Sequence, residues 1–117
     1  MIKFKSLNQS KQFLKILKKK RINTKYFTIY FEKNLINENK NLNISFVMKK
    51  NIGNAIKRNK IKRKLKGAVQ KIIKEKQQID LSYTYIIFGR NNVYSDKFPL
   101  IFSEINSVFK RIKQMDK

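Results

Sequence analysis

Residues 57–66 read Lys-Arg-Asn-Lys-Ile-Lys-Arg-Lys-Leu-Lys, seven basic side chains in ten. Ile61 and Leu65 keep helical spacing through that run, and Ala68, Val69, Ile72 and Ile73 continue it. A polybasic tail has no reason to hold such a rhythm. The segment reads as a long helix, starting at Asn54 or Ala55 and continuing to about Lys76. It is packed along one side and turned toward polyanion along the other.

At about 100° per residue, with Arg58 set at 0°, the apolar set spans roughly 280° to 60°. Lys60, Lys64, Lys66 and Lys71 read as the solvent side. Arg58 and Lys62, at roughly 0° and 40°, fall within the arc that later turns use for core. Either the helix overhangs its sheet there and both side chains lie in water, or they line a cleft where phosphate arrives. The surrounding charge favours the cleft. Asn59 and Arg63 complete a basic rim with Lys66. Asn59 reads as a contact to sugar and base edges or as a solvated position. Lys49 and Lys50, beyond a strand end, extend the patch.

The formal charge is +22, from 29 Lys and Arg against 7 Asp and Glu in 117 residues. That exceeds what solubility needs and costs self-repulsion, so a polyanionic partner is implied. Nucleic acid fits better than an anionic membrane surface. Codon bias toward Lys, Asn and Ile would raise Glu too, yet no carboxylate lies between Glu38 and Glu75. With 41% hydrophobic residues the chain can bury a core, and its length suits one RNA-binding domain, residues 1–117.

The remaining pattern predicts an α+β fold: a small central sheet with helices packed on it, in the order α-β-β-(β)-α-β-α, the bracketed strand being short. A first helix is expected over residues 10–20, capped by Ser10 or Asn8, with Phe13, Leu14 and Leu17 on one side. Strands are expected over 26–31, 43–48 and 83–88. Residues 33–41 and 77–82 read as connections, Gly53 as a turn, and 89–97 as a loop. Pro99 suits the first turn of a last helix whose apolar face is Phe98, Ile101, Phe102, Ile105, Val108, Phe109 and Ile112.

Catalysis by the protein itself is not expected. There is no His or Cys, so imidazole acid–base chemistry, disulfides and Cys- or His-ligated zinc are excluded. The seven carboxylates form no close pair, and Asp80 and Asp96 read as turn or cap residues. No metal site or membrane span is expected, and the N-terminus lacks the apolar core of a secretion signal. Along residues 26–31, alternation separates Tyr26, Thr28 and Tyr30 from Phe27, Ile29 and Phe31. One set must be core; the other can offer flat rings to unstacked bases. Phe13 reads equally as core or as a stacking residue, and Arg90 equally as a phosphate contact or a solvated loop charge.

Residues 49–63 resemble the signature of the bacterial ribonuclease P protein subunit. Lys49-Lys50 ends a strand, Gly53-Asn54-Ala55 turns, and Arg58-Asn59-Lys60-Ile61-Lys62-Arg63 opens the helix. The layout of nearly the whole chain is similar. Three positions depart: Lys60 replaces the second Arg of Arg-Asn-Arg, Met48 stands where a small polar residue is usual, and Leu17 takes the place of a second Phe. Lys60 keeps the charge but loses the planar fork. The resemblance implies a sandwich with a left-handed βαβ crossover, against the usual rule. It implies a cytoplasmic protein, one per RNA, serving the endonuclease that removes the 5′ leader from precursor tRNA. The catalytic RNA and Mg²⁺, held mainly by the RNA, carry the chemistry. RNA contact would fall to Lys49, Lys50, Asn54, Arg58, Asn59, Lys60, Lys62, Arg63 and Lys66. The leader cleft would take Phe13, Leu17, Tyr30, Lys62 and Lys66. The alternative is a general basic RNA-binding or ribosomal protein with no part in catalysis.

Overall fold

The last strand in the chain is the middle of the sheet. A computed structural model describes residues 2–7, 10–34, 41–75 and 79–115. The elements run β1 (Lys3–Lys5), α1 (Ser10–Ile16), β2 (Lys20–Asn23), β3 (Phe27–Lys33), β4 (Asn41–Val47), a 3₁₀ turn (Lys50–Ile52), α2 (Ala55–Lys74), β5 (Tyr83–Gly89), α3 (Asn92–Ser95) and α4 (Phe98–Met115). The strands form one mixed sheet in the order β1-β4-β5-β3-β2. β5 pairs antiparallel with β3 and parallel with β4. β4 and β5 are joined through α2, so this is the unit to which the implied crossover belongs.

Alternation sorts the two faces. Phe27, Ile29 and Phe31 of β3, Leu42 and Ile44 of β4, and Tyr85 and Ile87 of β5 are all but fully buried in one cluster. Into the same cluster α2 sends Ile61, Leu65, Ala68, Val69 and Ile72, and α4 sends Ile101, Ile105, Val108, Phe109 and Ile112. Both helices therefore cover one face, with the stripes their spacing requires. Phe98 and Phe102 are only half-buried; they stack on each other with Lys71 Nζ 4.6 Å from the Phe102 ring. On the opposite face, α1 lies against β3, Ile16 and Ile86 are buried, and Thr28 and Tyr30 are half-buried.

Five expectations need correction. The first helix, expected to run to about residue 20, ends at Ile16, and Lys20–Asn23 form the edge strand β2, which was not expected. In it only Ile22 is buried, so no alternation marks it. The N-terminal strand β1 was not expected, for the same reason. Both edges of the sheet are thus short and basic, which blunts pairing with another chain. Residues 92–95 form one helical turn inside the expected loop. Lys64, expected in solvent, donates from Nζ to the carbonyls of Val93, Tyr94 and Asp96, each at 3.0 Å. One ammonium with three donors thereby caps the end of α3 and clamps it to α2. Parts of the expected connections, residues 35–40 and 76–78, and the Asn8 cap lie outside the described residues.

Tyr26 is the fifth correction. It precedes β3, is only 4% exposed, and donates from its hydroxyl to Asp96 Oδ2 at 2.7 Å. It is a tie between the β2–β3 turn and α3, not a ring on the open face. Asn92 Nδ2 donates to the Lys25 carbonyl at 2.7 Å, and Lys25 Nζ lies 3.8 Å from Asp96, adding to that tie. The bond from Tyr26 holds the Asp96 carboxyl below its ordinary range, with Lys25 assisting and burial opposing. Asp80 behaves as the turn residue expected, accepting from the Ser82 backbone. Tyr85, fully buried, donates to the Asp80 carbonyl at 2.6 Å, and burial keeps its phenol protonated far into alkali.

Gly89 sets how closely α2 sits on the sheet. A Cβ there would lie 2.6 Å from Met48 Sδ, 2.9 Å from Leu65 Cδ1 and 3.0 Å from Ile61 Cγ2. At Gly67, within α2, it would meet only Phe98 Cε1 at 3.7 Å.

Two measurements check this account. Gly89→Ala is expected to cost about 1–3 kcal/mol in urea unfolding, because the core is already full there. Gly67→Ala is expected to gain about 0.5–1 kcal/mol from helix propensity. Equal effects at the two sites would refute the close seating of α2. The depressed Asp96 pKa contributes stability that is complete above the ordinary aspartate range and lost as pH falls through the depressed value. Wild type should therefore exceed Asp96→Asn in stability at pH 7, and the two should converge in strong acid. A gap independent of pH would show that the Tyr26–Asp96 bond carries no linkage.

Candidate nucleic-acid interface

The basic helix begins where the backbone turns sharply. Gly53 has φ of 155°, in the region that side chains disfavour, and a Cβ there would lie 2.8 Å from Lys57 Cδ. Asn54 follows as the N-cap, its Oδ1 accepting from the Lys57 N–H at 2.9 Å. Glycine, asparagine and helix start are thus one mechanical unit. The first turn of α2 contains no acidic residue, although acid is favoured at a helix N-terminus. Lys57 and Arg58 stand there instead.

Arg58 is half-buried, and its Nε is shielded from solvent with no acceptor among the described residues. It borders a groove of about 220 Å³ with Phe46, Met48, Asn59 and Lys62. A second groove, of about 340 Å³, adjoins it. There Lys62 and Lys66 of α2 face Phe13 of α1 across Ser45 and Phe46 of β4. Among the described residues β1 pairs with β4 only as far as Asn43, which leaves Ile44 to Val47 at the sheet edge beside this groove. Leu7 N–H donates to Ser45 Oγ at 3.0 Å, closing one end. Arg58 and Lys62 thus stand beside grooves between the helix and the strand edge. Among the described residues no carboxylate lines either groove. Glu32, Glu75 and Asp96 pair elsewhere, with Lys15 and Lys19, Lys71, and Lys25.

The other expected site residues are spread around this cleft. Lys50, Asn59, Lys60 and Arg63 are exposed along the start of α2 and the turn before it. Lys66 also lies over the ring of Phe4, 5.9 Å away. Tyr30 does not line the groove; its ring meets Phe88 edge-on at 5.6 Å, and Phe88 meets Phe13 at 6.3 Å. Lys49 Nζ lies 5.7 Å from the same Phe88 ring. Phe88, which sequence reasoning did not single out, thus joins Phe13, Tyr30 and Lys49 on the open face. The register Thr28↔Phe88 brings it there, and register is not readable from one strand alone. Arg90 donates from Nη2 to Thr28 Oγ1 at 3.1 Å, so it is anchored beside this aromatic row. Leu17 is half-buried in the turn after α1 and is absent from both groove linings.

Chemically the arrangement offers cations, amide donors and ring faces, and no acid–base pair. Among the described residues no cluster of three or more His, Cys, Asp or Glu could hold a metal ion. Nor is any helix among them long and apolar enough to cross a membrane.

Known proteins share this fold. A model of the Ribonuclease P family matches residues 1–113. A relative named ribonuclease P protein component from Mesomycoplasma hyopneumoniae is 30% identical over 118 residues, covering all of both chains. One of the same name from Carboxydothermus hydrogenoformans is 29% identical, covering 97% of this chain and 96% of its own. The ribonuclease P protein from Thermotoga maritima superposes with a TM-score of 0.70 at 23% identity, over 92% of this chain and 96% of that one. The chain belongs to the ribonuclease P protein family.

Proposed function

We propose that this chain is the protein component of ribonuclease P, a single RNA-binding domain that joins one catalytic RNA in the cytoplasm. The start of α2, with Lys49, Lys50 and Asn54 before it, contacts that RNA. The groove between α1, the β4 edge and α2 takes the single-stranded 5′ leader of precursor tRNA. Cleavage belongs to the RNA and to Mg²⁺ that the RNA holds. The observation that carries this reading is Arg58, half-buried, whose shielded Nε has no acceptor among the described residues, in a groove that no carboxylate among them lines. A phosphate oxygen would satisfy that N–H and the desolvation it has already suffered.

The division of labour follows from the residues. Lys62 and Lys66 neutralise backbone phosphates and release counterions, which supplies affinity without sequence choice. Phe13, Phe88 and Tyr30 offer faces to unstacked bases, each worth about 1–3 kcal/mol and tolerant of sequence. A leader of variable sequence requires recognition of this kind. The protein then acts by holding the substrate against the RNA's own reactive centre, so that fewer free cations are needed to screen the two RNAs from each other.

Reconstitution tests the reading. The purified chain alone should leave precursor tRNA intact, and with the catalytic RNA it should lower the Mg²⁺ or salt requirement for cleavage. Cutting without RNA would overturn the proposal, and no effect on processing would leave a general RNA-binding protein. Arg58→Ala and Arg63→Ala should each weaken RNA binding and flatten the dependence of log K on log salt by about one. An unchanged slope for either would return that residue to the solvated surface.

A further inference from the structure

Tyr94 stands on the flank of α2 away from the groove. Lys57 and Lys60 lie roughly half a turn around the helix from Lys62 and Lys66. Their ammonium groups sit 5.2 and 5.3 Å from the centre of the Tyr94 ring. The ring is 41% exposed. It is also fixed in place, because the turn that carries it is held from two sides. Lys64 grips the carbonyls of Val93, Tyr94 and Asp96, and Asp96 and Asn92 are tied to Tyr26 and Lys25. A solvent-facing aromatic on a clamped turn, with two cations over it, is more than surface packing needs.

We infer that Tyr94, Lys57 and Lys60 form a second RNA-contact site, which takes one unpaired nucleotide. The base stacks on the ring while the two ammonium groups turn to the flanking phosphates. Each ammonium already lies beside the platform, and the flexible lysine stem lets it exchange the ring for a phosphate. A cation over an exposed ring is held weakly, so the exchange costs little. Stacking is indifferent to base identity but requires an unpaired base, since a base inside a duplex shows no free face. The inference rests on the RNA-binding reading above and extends it: α2 would be engaged along both flanks.

Because the chain has no Trp, Tyr94→Trp introduces a sole indole at the platform. Titrated with the catalytic RNA of ribonuclease P, its emission should be quenched, whereas a blunt RNA duplex should bind without quenching. Tyr94→Leu, which keeps apolar bulk and lacks a ring, should weaken binding of the catalytic RNA by about 5- to 150-fold at unchanged salt slope. The double variant Lys57→Ala, Lys60→Ala should flatten that slope by about 1.4 for two single-stranded phosphates. If wild type binds the RNA but Tyr94→Leu binds equally well and the indole stays silent, this site is refuted and the groove reading stands. If wild type itself fails to bind the RNA, both fall together.

Discussion

The depth at which α2 lies on β5 controls everything else in this protein. That depth exists because Gly89 has no side chain, which lets Ile61, Leu65 and Met48 close over one point of the sheet. The helix then projects past the sheet at its N-terminal end. Arg58 and Lys62 keep the core-facing azimuth but find a strand edge and an opening in place of a core. A shallower helix would lift both into bulk water, where their charge would be screened and their position unspecified. The groove is a by-product of close packing one and two turns further along.

Charge is arranged against the interest of the free fold. Cations crowd the start of α2, where the helix dipole favours anions, and its first turn holds no acidic residue. The carboxylates that do pair are spent elsewhere, on Lys15, Lys19, Lys25 and Lys71. Such pairs at the surface contribute little. Stability must therefore come from the core face, where two apolar helices cover three central strands. The like charges gathered on α2 repel one another and oppose the fold. Even the internal use of charge is selective: Lys64 is withdrawn from the basic rim and used to fasten α3, which leaves its neighbours free for external contacts.

The helices were legible because their periodicity is long. α2 and α4 each repeat their apolar stripe over several turns, and every buried residue of the two lies on its stripe, with Ile73, Phe98 and Phe102 half-buried at the margins. The Gly53-Asn54 start was legible because turn and cap chemistry are local. The short edge strands were not, because Phe4 and Ile22 are single buried or half-buried positions among lysines and carry no period. Within the candidate site, Arg58 and Lys62 could be placed by azimuth alone. Phe88 could not, since its company with Phe13 and Tyr30 depends on how β3 and β5 align. Tyr26 was misplaced for a related reason. Alternation was extended one residue too far, into a turn where Asp96, 70 positions away, decides its orientation. Lys64 escaped because helical spacing says which way a side chain points and nothing about what another segment brings to meet it.

The position of β5 has a consequence for how the molecule comes into being. Its neighbours β3 and β4 are made long before it, and neither pairs with the other. During synthesis the β2–β3 hairpin can close early, because its two strands are neighbours in sequence. The centre of the sheet arrives with residues 83–89, after the whole basic helix has emerged. Pairing so remote in sequence is slow to form. For that interval the cations of α2 are displayed with no sheet behind them, on a nascent chain leaving a ribosome that is itself largely RNA. The order of strands thus makes the unfinished protein a more promiscuous polycation than the finished one, and folding is the step that confines its charge to a defined surface.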